Sequence, residues 1–478
     1  MREISETEIQ ARLEFDNPWW EKGRNAAIPF QDAPRRTYFE SFLKTVTERS
    51  VQRAVVLMGP RRVGKTVMVQ HAIRALLDAG IDGPAILYLS LETPLLSGLA
   101  LERLVGLFRA KFAHDREAPL FVFFDEVQYL KDWEVHLKSL VDSYPAYKFV
   151  ATGSAAAALR LKSHESGAGR FSDYILPPLT FAEYLRFIGR DDELVREIEG
   201  EERNEYVATD IAVLNEEFVN YLNFGGYPEA VFSPTVRRAP EQYIKSDIID
   251  KVLLRDLPSL YGISDIQELN RLFTTLAYNT GNEVSLEALS QSAGVAKNTI
   301  KRYMDYLEAA FLIRRVERMD QSARRFQRAR QFKIYLTNPS MRAALFGHIG
   351  ADAGAMGAIT ETAIYSQWQH GRQADLFYAR WSNGEVDMVC VSQAAQKPLW
   401  ITEVKWSDRP FSVRSELDNC VEFVRRNPDV QQPVIVTTRT IEEDIEHASV
   451  RFELVPASLH AFRVGADLLA RAPMRGVR

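Results

Sequence analysis

The sequence predicts an α/β protein of several domains, built around a parallel sheet. Three observations carry this. The chain has 478 residues, which at roughly 100–200 residues per domain implies about three domains. From residue 54 to about 176, short apolar runs alternate with helical patterns, as a parallel sheet covered on both faces requires. Between the first run and the first of those helices lies a glycine-bearing octet, Gly59-Pro60-Arg61-Arg62-Val63-Gly64-Lys65-Thr66. At 46% hydrophobic and 26% charged residues, the chain excludes a disordered or collagen-like protein.

The strands are expected at Ala54–Met58, Ile86–Ser90, 120–124, 148–152 and 174–176. Ahead of them, residues 1–50 read as a helical segment packed on this core, with Trp19 and Trp20 as packing residues. The core itself spans 51–190. Residues 191–205 hold eight acids against two bases and are expected as a solvated helical insertion. A helical region follows to 280. Residues 281–346 read as helix, turn, helix and strand pair, with Gly294 in the turn. The Gly/Ala-rich stretch 347–357 is the linker candidate, and 357–478 returns to mixed α/β.

The octet fits G-x-x-x-x-G-K-[ST] in its required setting, strand before and helix after. Backbone N–H groups at a helix N-terminus wrap phosphates. Lys65 reaches the β/γ-phosphates and the Thr66 hydroxyl ligates Mg²⁺. Arg61 and Arg62 lie within the loop. The run 120–124 ends in Asp125-Glu126: Asp125 for the Mg²⁺ shell, Glu126 to polarise the attacking water. An additional strand between the phosphate-loop strand and the Asp-Glu strand marks the ATPases that use a catalytic glutamate. The next strand ends in Thr152-Gly153-Ser154, and Ser154 is a candidate γ-phosphate sensor. Arg170, in the loop after it, is the candidate arginine supplied to a neighbour's site. No N-K-x-D occurs, so ATP is the expected nucleotide.

Net charge is 59 − 64 = −5, so any nucleic-acid surface must be a local patch. Residues 296–335 supply one, with eleven Lys/Arg against four Asp/Glu. Lys297, Asn298, Thr299, Lys301 and Arg302 lie near the start of the second helix, where a recognition helix presents side chains to a groove. Arg324 and Arg325 would sit near the strand pair and track a backbone.

In the C-terminal part, Glu403-x-Lys405 places two side chains on one face of a strand, and Asp387 on the adjacent strand can meet them. Two carboxylates can hold Mg²⁺ while Lys405 stabilises the transition state, with Glu361 completing the shell from a helix. Two cysteines, Cys390 and Cys420, exclude a disulfide framework and suit a reducing compartment. The charged N-terminus and the lack of any apolar run near ~18 residues predict a cytoplasmic protein without membrane contact.

Together, GPRRVGKT, FFDEVQ, TGS, the Gly169-Arg170 loop, NPWW, Gly225-Gly226-Tyr227-Pro228-Glu229, LLRDLPSL and the Glu-Val-Asp and Glu-Val-Lys motifs resemble the prokaryotic AAA+ ATPases with a C-terminal nuclease-like domain. The resemblance spans almost the whole chain. It implies a P-loop AAA+ core, a helical lid with a winged helix-turn-helix, and a C-terminal α/β domain of the PD-(D/E)xK nuclease type. Leu336-Thr337-Asn338-Pro339 departs from the pattern of many relatives. The expected activity is Mg²⁺-dependent ATP hydrolysis by a homo-oligomer with shared ATP sites, acting on DNA as a translocase or branch-migration motor. Two other readings stay open: a nucleotide switch in a defence or toxin–antitoxin system, and a DNA-binding regulator that does not cleave.

Overall fold

The computed structural model describes residues 5–96, 98–153, 169–198, 205–320, 322–323, 331–370 and 375–471. The chain divides into two units, Met1–Pro177 and Pro178–Ala472.

In the first unit the order is α1 (Glu6–Asp16), α2 (Phe39–Thr47), β1 (Ala54–Met58), α3 (Lys65–Asp78), β2 (Ile86–Ser90), α4 (Leu101–Phe112), β3 (Leu120–Asp125), α5 (Trp133–Ser143), β4 (Tyr147–Gly153) and β5 (Phe171–Ile175). All pairings are parallel, in the order β2-β3-β4-β1-β5. Strands β1, β3 and β4 are buried along their length, which is why their sequences read as unbroken apolar runs. The strand inserted between the phosphate-loop strand and the Asp-Glu strand is β4, which comes last of the three in the chain. Because strands are parallel, Met58 and Asp125 end on the same edge of the sheet, and the functional loops collect there.

The exposed flank of β2 is covered by the start of the chain. Asn17, 1% exposed, donates to the Tyr88 carbonyl at 2.9 Å and accepts from the Tyr88 N–H at 2.7 Å. The indole N–H groups of Trp19 and Trp20 both donate to the Ile86 carbonyl, at 3.1 and 2.8 Å. Trp20 also packs on Phe108 and Phe112 of α4. The Asn-Pro-Trp-Trp motif thus satisfies an edge that would otherwise expose unpaired backbone groups.

The second unit holds a nine-stranded sheet, β8 (Glu283–Ser285), β9 (Ile313–Met319), β10 (Gln331–Leu336), β11 (Asp375–Trp381), β12 (Gly384–Val391), β13 (Pro398–Glu403), β14 (Val434–Thr438), β15 (Glu443–His447) and β16 (Val450–Pro456). The order is β15-β16-β14-β13-β12-β11-β9-β10-β8. Its principal helices are α6 (Ile211–Phe224), α7 (Ile266–Tyr278), α8 (Leu286–Ala293), α9 (Lys297–Ala309), α10 (Met356–Trp368), α11 (Asp418–Arg426) and α12 (Ala457–Arg471). Sequence pattern separates 281–346 from 357–478 at a Gly/Ala-rich stretch. The sheet nevertheless runs across both segments, because β9 pairs in parallel with β11 through Tyr378↔Arg318 and Ala379↔Met319. Cys390 and Cys420 are buried free thiols.

The acidic block differs from its expected helix. Among its described residues only Asp191–Leu194 is helical; β6 (Val195–Ile198) and β7 (Glu205–Ala208) then pair antiparallel. Leu194, Val195 and Tyr206 pack on the core, with the Tyr206 ring 5.4 Å from Phe462. Charge count alone does not distinguish a solvated helix from a solvated hairpin.

Candidate nucleotide site and candidate carboxylate site

The octet forms the loop from β1 into α3. Gly59 lies so close to the Leu176 carbonyl that a Cβ would stand 2.2 Å from its oxygen. Gly64 caps α3 at φ 95°, a left-handed conformation that glycine adopts without steric cost. Lys65 is 4% exposed and donates to the carbonyls of Gly59 (3.1 Å) and Pro60 (2.8 Å), lying across its own loop. Arg61 reaches the Tyr129 hydroxyl at 3.5 Å, whereas Arg62 is exposed at φ 65°. Val63 is buried, and its carbonyl accepts from the buried Arg36 guanidinium at 2.8 Å, which also donates to the Pro177 carbonyl.

Asp125 is the hub. Its Oδ2 accepts from the Thr66 and Tyr88 hydroxyls, both at 2.9 Å, and its Oδ1 from the Thr152 hydroxyl at 2.5 Å. Burial, then the neighbouring Asp125 carboxylate, push the Tyr88 phenol well above its usual pKa, so it stays a donor. Glu126 follows at φ 60°, ψ 50°, a conformation sparsely used by non-glycine residues. Its N–H donates to Thr152 Oγ1 at 3.0 Å, and its carboxylate accepts from the Gln128 amide. Burial raises the Glu126 pKa, against the opposing charge of Lys65. The hard oxygen donors of Thr66 and Asp125, at a helix N-terminus beside the loop, fit Mg²⁺.

Ser154 lies outside the described residues; the polar group of this strand that touches the site is Thr152. Arg170 pairs with Asp142 at the start of β5, the end of the sheet opposite the phosphate loop. Five residues of strand at ~3.3 Å each separate it from that loop, so it does not serve its own chain's site. Sequence reasoning missed Tyr88, Gln128 and Arg36, and within Thr152-Gly153-Ser154 chose Ser154. Tyr88 carried one signal, a polar-tipped ring between the two leucines of the strand ILYLS.

In the second unit, Lys297, Asn298, Lys301 and Arg302 are exposed on α9, with Thr299 half-buried. Lys297 is paired with Glu287 at 3.0 Å. Arg324 and Arg325 lie outside the described residues.

The carboxylates expected in the C-terminal segment do converge, and α10, β12 and β13 bring them together. Glu361, Asp387 and Glu403 are all buried, beside a pocket of about 540 Å³ lined in part by Glu361, Asp387, Lys405 and Arg439. Glu403 accepts from the Lys405 ammonium at 2.7 Å and from the Asp387 N–H at 3.4 Å. Burial, then the Asp387 charge, push Glu403 up to about 8. The same two causes push Glu361 up to about 7. Burial would raise Asp387 as well, but Lys333 and Lys405 outweigh it and hold it below its usual value.

Lys333 of β10 was not foreseen. Its side chain is 3% exposed, and its ammonium lies 2.8 Å from Glu361, 2.7 Å from Glu385 and 3.1 Å from Asp387. The Tyr335 hydroxyl, two residues on, donates to Glu361 at 2.5 Å. Among the described residues no three Asp, Glu, His or Cys side chains form a group able to hold a metal ion. Where Mg²⁺ was expected among Glu361, Asp387 and Glu403, the ammonium groups of Lys333 and Lys405 are found instead. Two lysines stand among these carboxylates.

Residues 51–185 match the family model of an AAA domain. The parallel sheet and its phosphate loop are consistent with a P-loop domain of the AAA type. Residues 215–352 match a domain of unknown function. An uncharacterized protein of Haemophilus influenzae is 24% identical over 303 residues, 62% of this chain and 70% of that protein. An uncharacterized protein of Methanocaldococcus jannaschii is 23% identical over 346 residues, 70% of this chain and 71% of that protein. A Walker-type ATPase of Pyrococcus abyssi superposes with a TM-score of 0.37 at 16% identity, covering 64% of this chain and 94% of that one. Among the described residues, no helix is long and apolar enough to cross a membrane.

Proposed function

We propose that the protein hydrolyses ATP and uses the turnover to act on DNA. The observation that carries the first half is the hydrogen-bonded chain Thr66–Asp125–Thr152–Glu126 beside the phosphate loop. Lys65 exchanges its two loop carbonyls for the β/γ-phosphates. Thr66 and Asp125 would hold Mg²⁺, which would supply positive charge against the phosphates. Glu126, aimed by its left-handed backbone and by Thr152, orients the attacking water and accepts its proton. Gln128 holds the Glu126 carboxylate until nucleotide is bound. Arg170, remote from its own loop, acts on the site of a neighbouring copy in a homo-oligomer, and Ser154 senses the γ-phosphate.

Support for DNA is the exposed polar start of α9 and the basic balance of 296–335. We read α8, α9, β9 and β10 as a winged helix-turn-helix, with Lys297, Asn298, Lys301, Arg302, Arg324 and Arg325 on phosphates. The set α10, β12 and β13 is read as a nuclease-like fold. One observation favours the regulator that does not cleave: the ammonium of Lys333, a residue outside the expected constellation, lies on Glu361 and Asp387. The compartment is cytoplasmic in this reading.

The test is ATPase rate with and without duplex, single strand, fork and four-way junction, run beside a strand-cleavage gel. Lys65→Ala should lose nucleotide binding. Glu126→Gln should keep it and lose roughly 10²–10⁴-fold in turnover. Normal turnover by Glu126→Gln would overturn the base assignment, and a rate indifferent to every DNA would overturn the motor.

A further inference from the structure

The carboxylate site has an unusual feature for a candidate metal centre: its cation is already part of the chain. Lys333 contacts Glu361, Glu385 and Asp387, while Lys405 contacts Glu403. Both oxygens of Asp387 are engaged, Oδ1 by Lys333 at 3.1 Å and Oδ2 by the Val404 N–H at 3.0 Å. Both oxygens of Glu403 are engaged too, by Lys405 and by the Asp387 N–H. Glu361 Oε1 takes two donors, Lys333 and Tyr335. A divalent ion would have to share or take these oxygens from their donors and settle near a buried ammonium.

Lys333 does not belong to the segment that carries the carboxylates. It lies 28 residues before Glu361 and 54 before Asp387. It reaches them although β9 and β11 stand between β10 and β12 in the sheet order, because the strand pair that follows the two-helix segment belongs to the same sheet as β12. Burying an ammonium is costly unless it is paired, and three carboxylates within 3.1 Å meet that condition. The carboxylates, in turn, need a cation whether or not a metal is supplied.

We propose that Lys333 is the resident cation of this site: its ammonium stands in for a divalent ion, and the chain as folded does not take one there. The inference rests on the nuclease-like reading of α10, β12 and β13 only for which ion it excludes. Access is not the barrier, since the 540 Å³ pocket opens onto Glu361 and Asp387. What closes the site to metal is charge and donor occupancy.

The experiment is Mn²⁺ titration of the full chain without nucleotide, followed by electron paramagnetic resonance, with thermal melts in parallel. Wild type should show no Mn²⁺ site that disappears in Asp387→Asn. Lys333→Met should gain one such site, lost again in Lys333→Met/Asp387→Asn. Its melting temperature should fall relative to wild type in EDTA and recover by roughly 5 °C at saturating Mn²⁺. Wild type should not respond to Mn²⁺ in this way. A wild-type Mn²⁺ site that Asp387→Asn removes would overturn the proposal, and that arm needs no Lys333 variant to fold. A well-folded Lys333→Met with no gain of binding would overturn it as well. Neither DNA nor cleavage enters the assay, so failure of the DNA reading leaves this result standing.

Discussion

Replacing Asn17 with alanine removes the side chain that completes β2. In the folded protein this amide makes three hydrogen bonds, to the Leu13 carbonyl at 2.8 Å, the Tyr88 carbonyl at 2.9 Å and the Tyr88 N–H at 2.7 Å. The variant leaves both Tyr88 backbone groups buried without these partners. Each such orphan costs about 1–3 kcal/mol. Water can enter the small space left at the sheet edge, which favours the lower half, about 2–4 kcal/mol in total. For a unit of this size each kcal/mol is worth roughly 2–4 °C, so the midpoint should fall by roughly 5–15 °C. The assay is differential scanning calorimetry, following the transition that ATP raises, since ligand binding marks the unit that holds the nucleotide. Trp20→Phe is the control. It removes one of two donors to the Ile86 carbonyl and keeps the ring packing, so its cost should stay under about 1 kcal/mol. An Asn17→Ala midpoint within about 2 °C of wild type would refute the edge argument, because the backbone of β2 would then need no partner.

Tyr88→Phe removes only the hydroxyl that donates to Asp125. ATP turnover should then need severalfold more Mg²⁺ for half-maximal rate with little change at saturation; an unchanged Mg²⁺ dependence would count against Tyr88 as a positioning residue. His460 offers a test of pH dependence. It is buried, and burial followed by the charge of Arg463 lowers its pKa to about 3, below the 6.5 of the unfolded chain. Between those values the unfolded state binds the extra proton, so this residue's contribution to stability falls as pH drops below 6.5, by at most about 1.4 kcal/mol per pH unit. Urea midpoints of His460→Gln and wild type at pH 7 and pH 5 measure this directly. Equal acid sensitivity in the two proteins would contradict it.

The nucleotide site was legible because its chemistry is contiguous. A loop that wraps phosphate must be glycine-bearing, end in Lys-Thr and join a strand to a helix, all within eight residues. Asp125 and Glu126 were legible because an apolar strand that stops at two acids is conspicuous. The pairing of 195–198 with 205–208 was not, since two four-residue strands among eight acids carry no clear apolar alternation.

By itself the sequence determined which segments are buried strands, where the phosphate loop lies, and which acids stand at strand ends. These are local properties of apolar runs and of short motifs. Only the tertiary structure decided that Asn17 closes the edge of β2 and that Lys333 enters the carboxylate site. The run QFKIYL did hold a hint, a lysine inside five consecutive buried positions. Its partners, however, lie 28 and 54 residues away in sequence. A buried charge is stable only where its counter-charges arrive, and chain folding, not local sequence, delivers them.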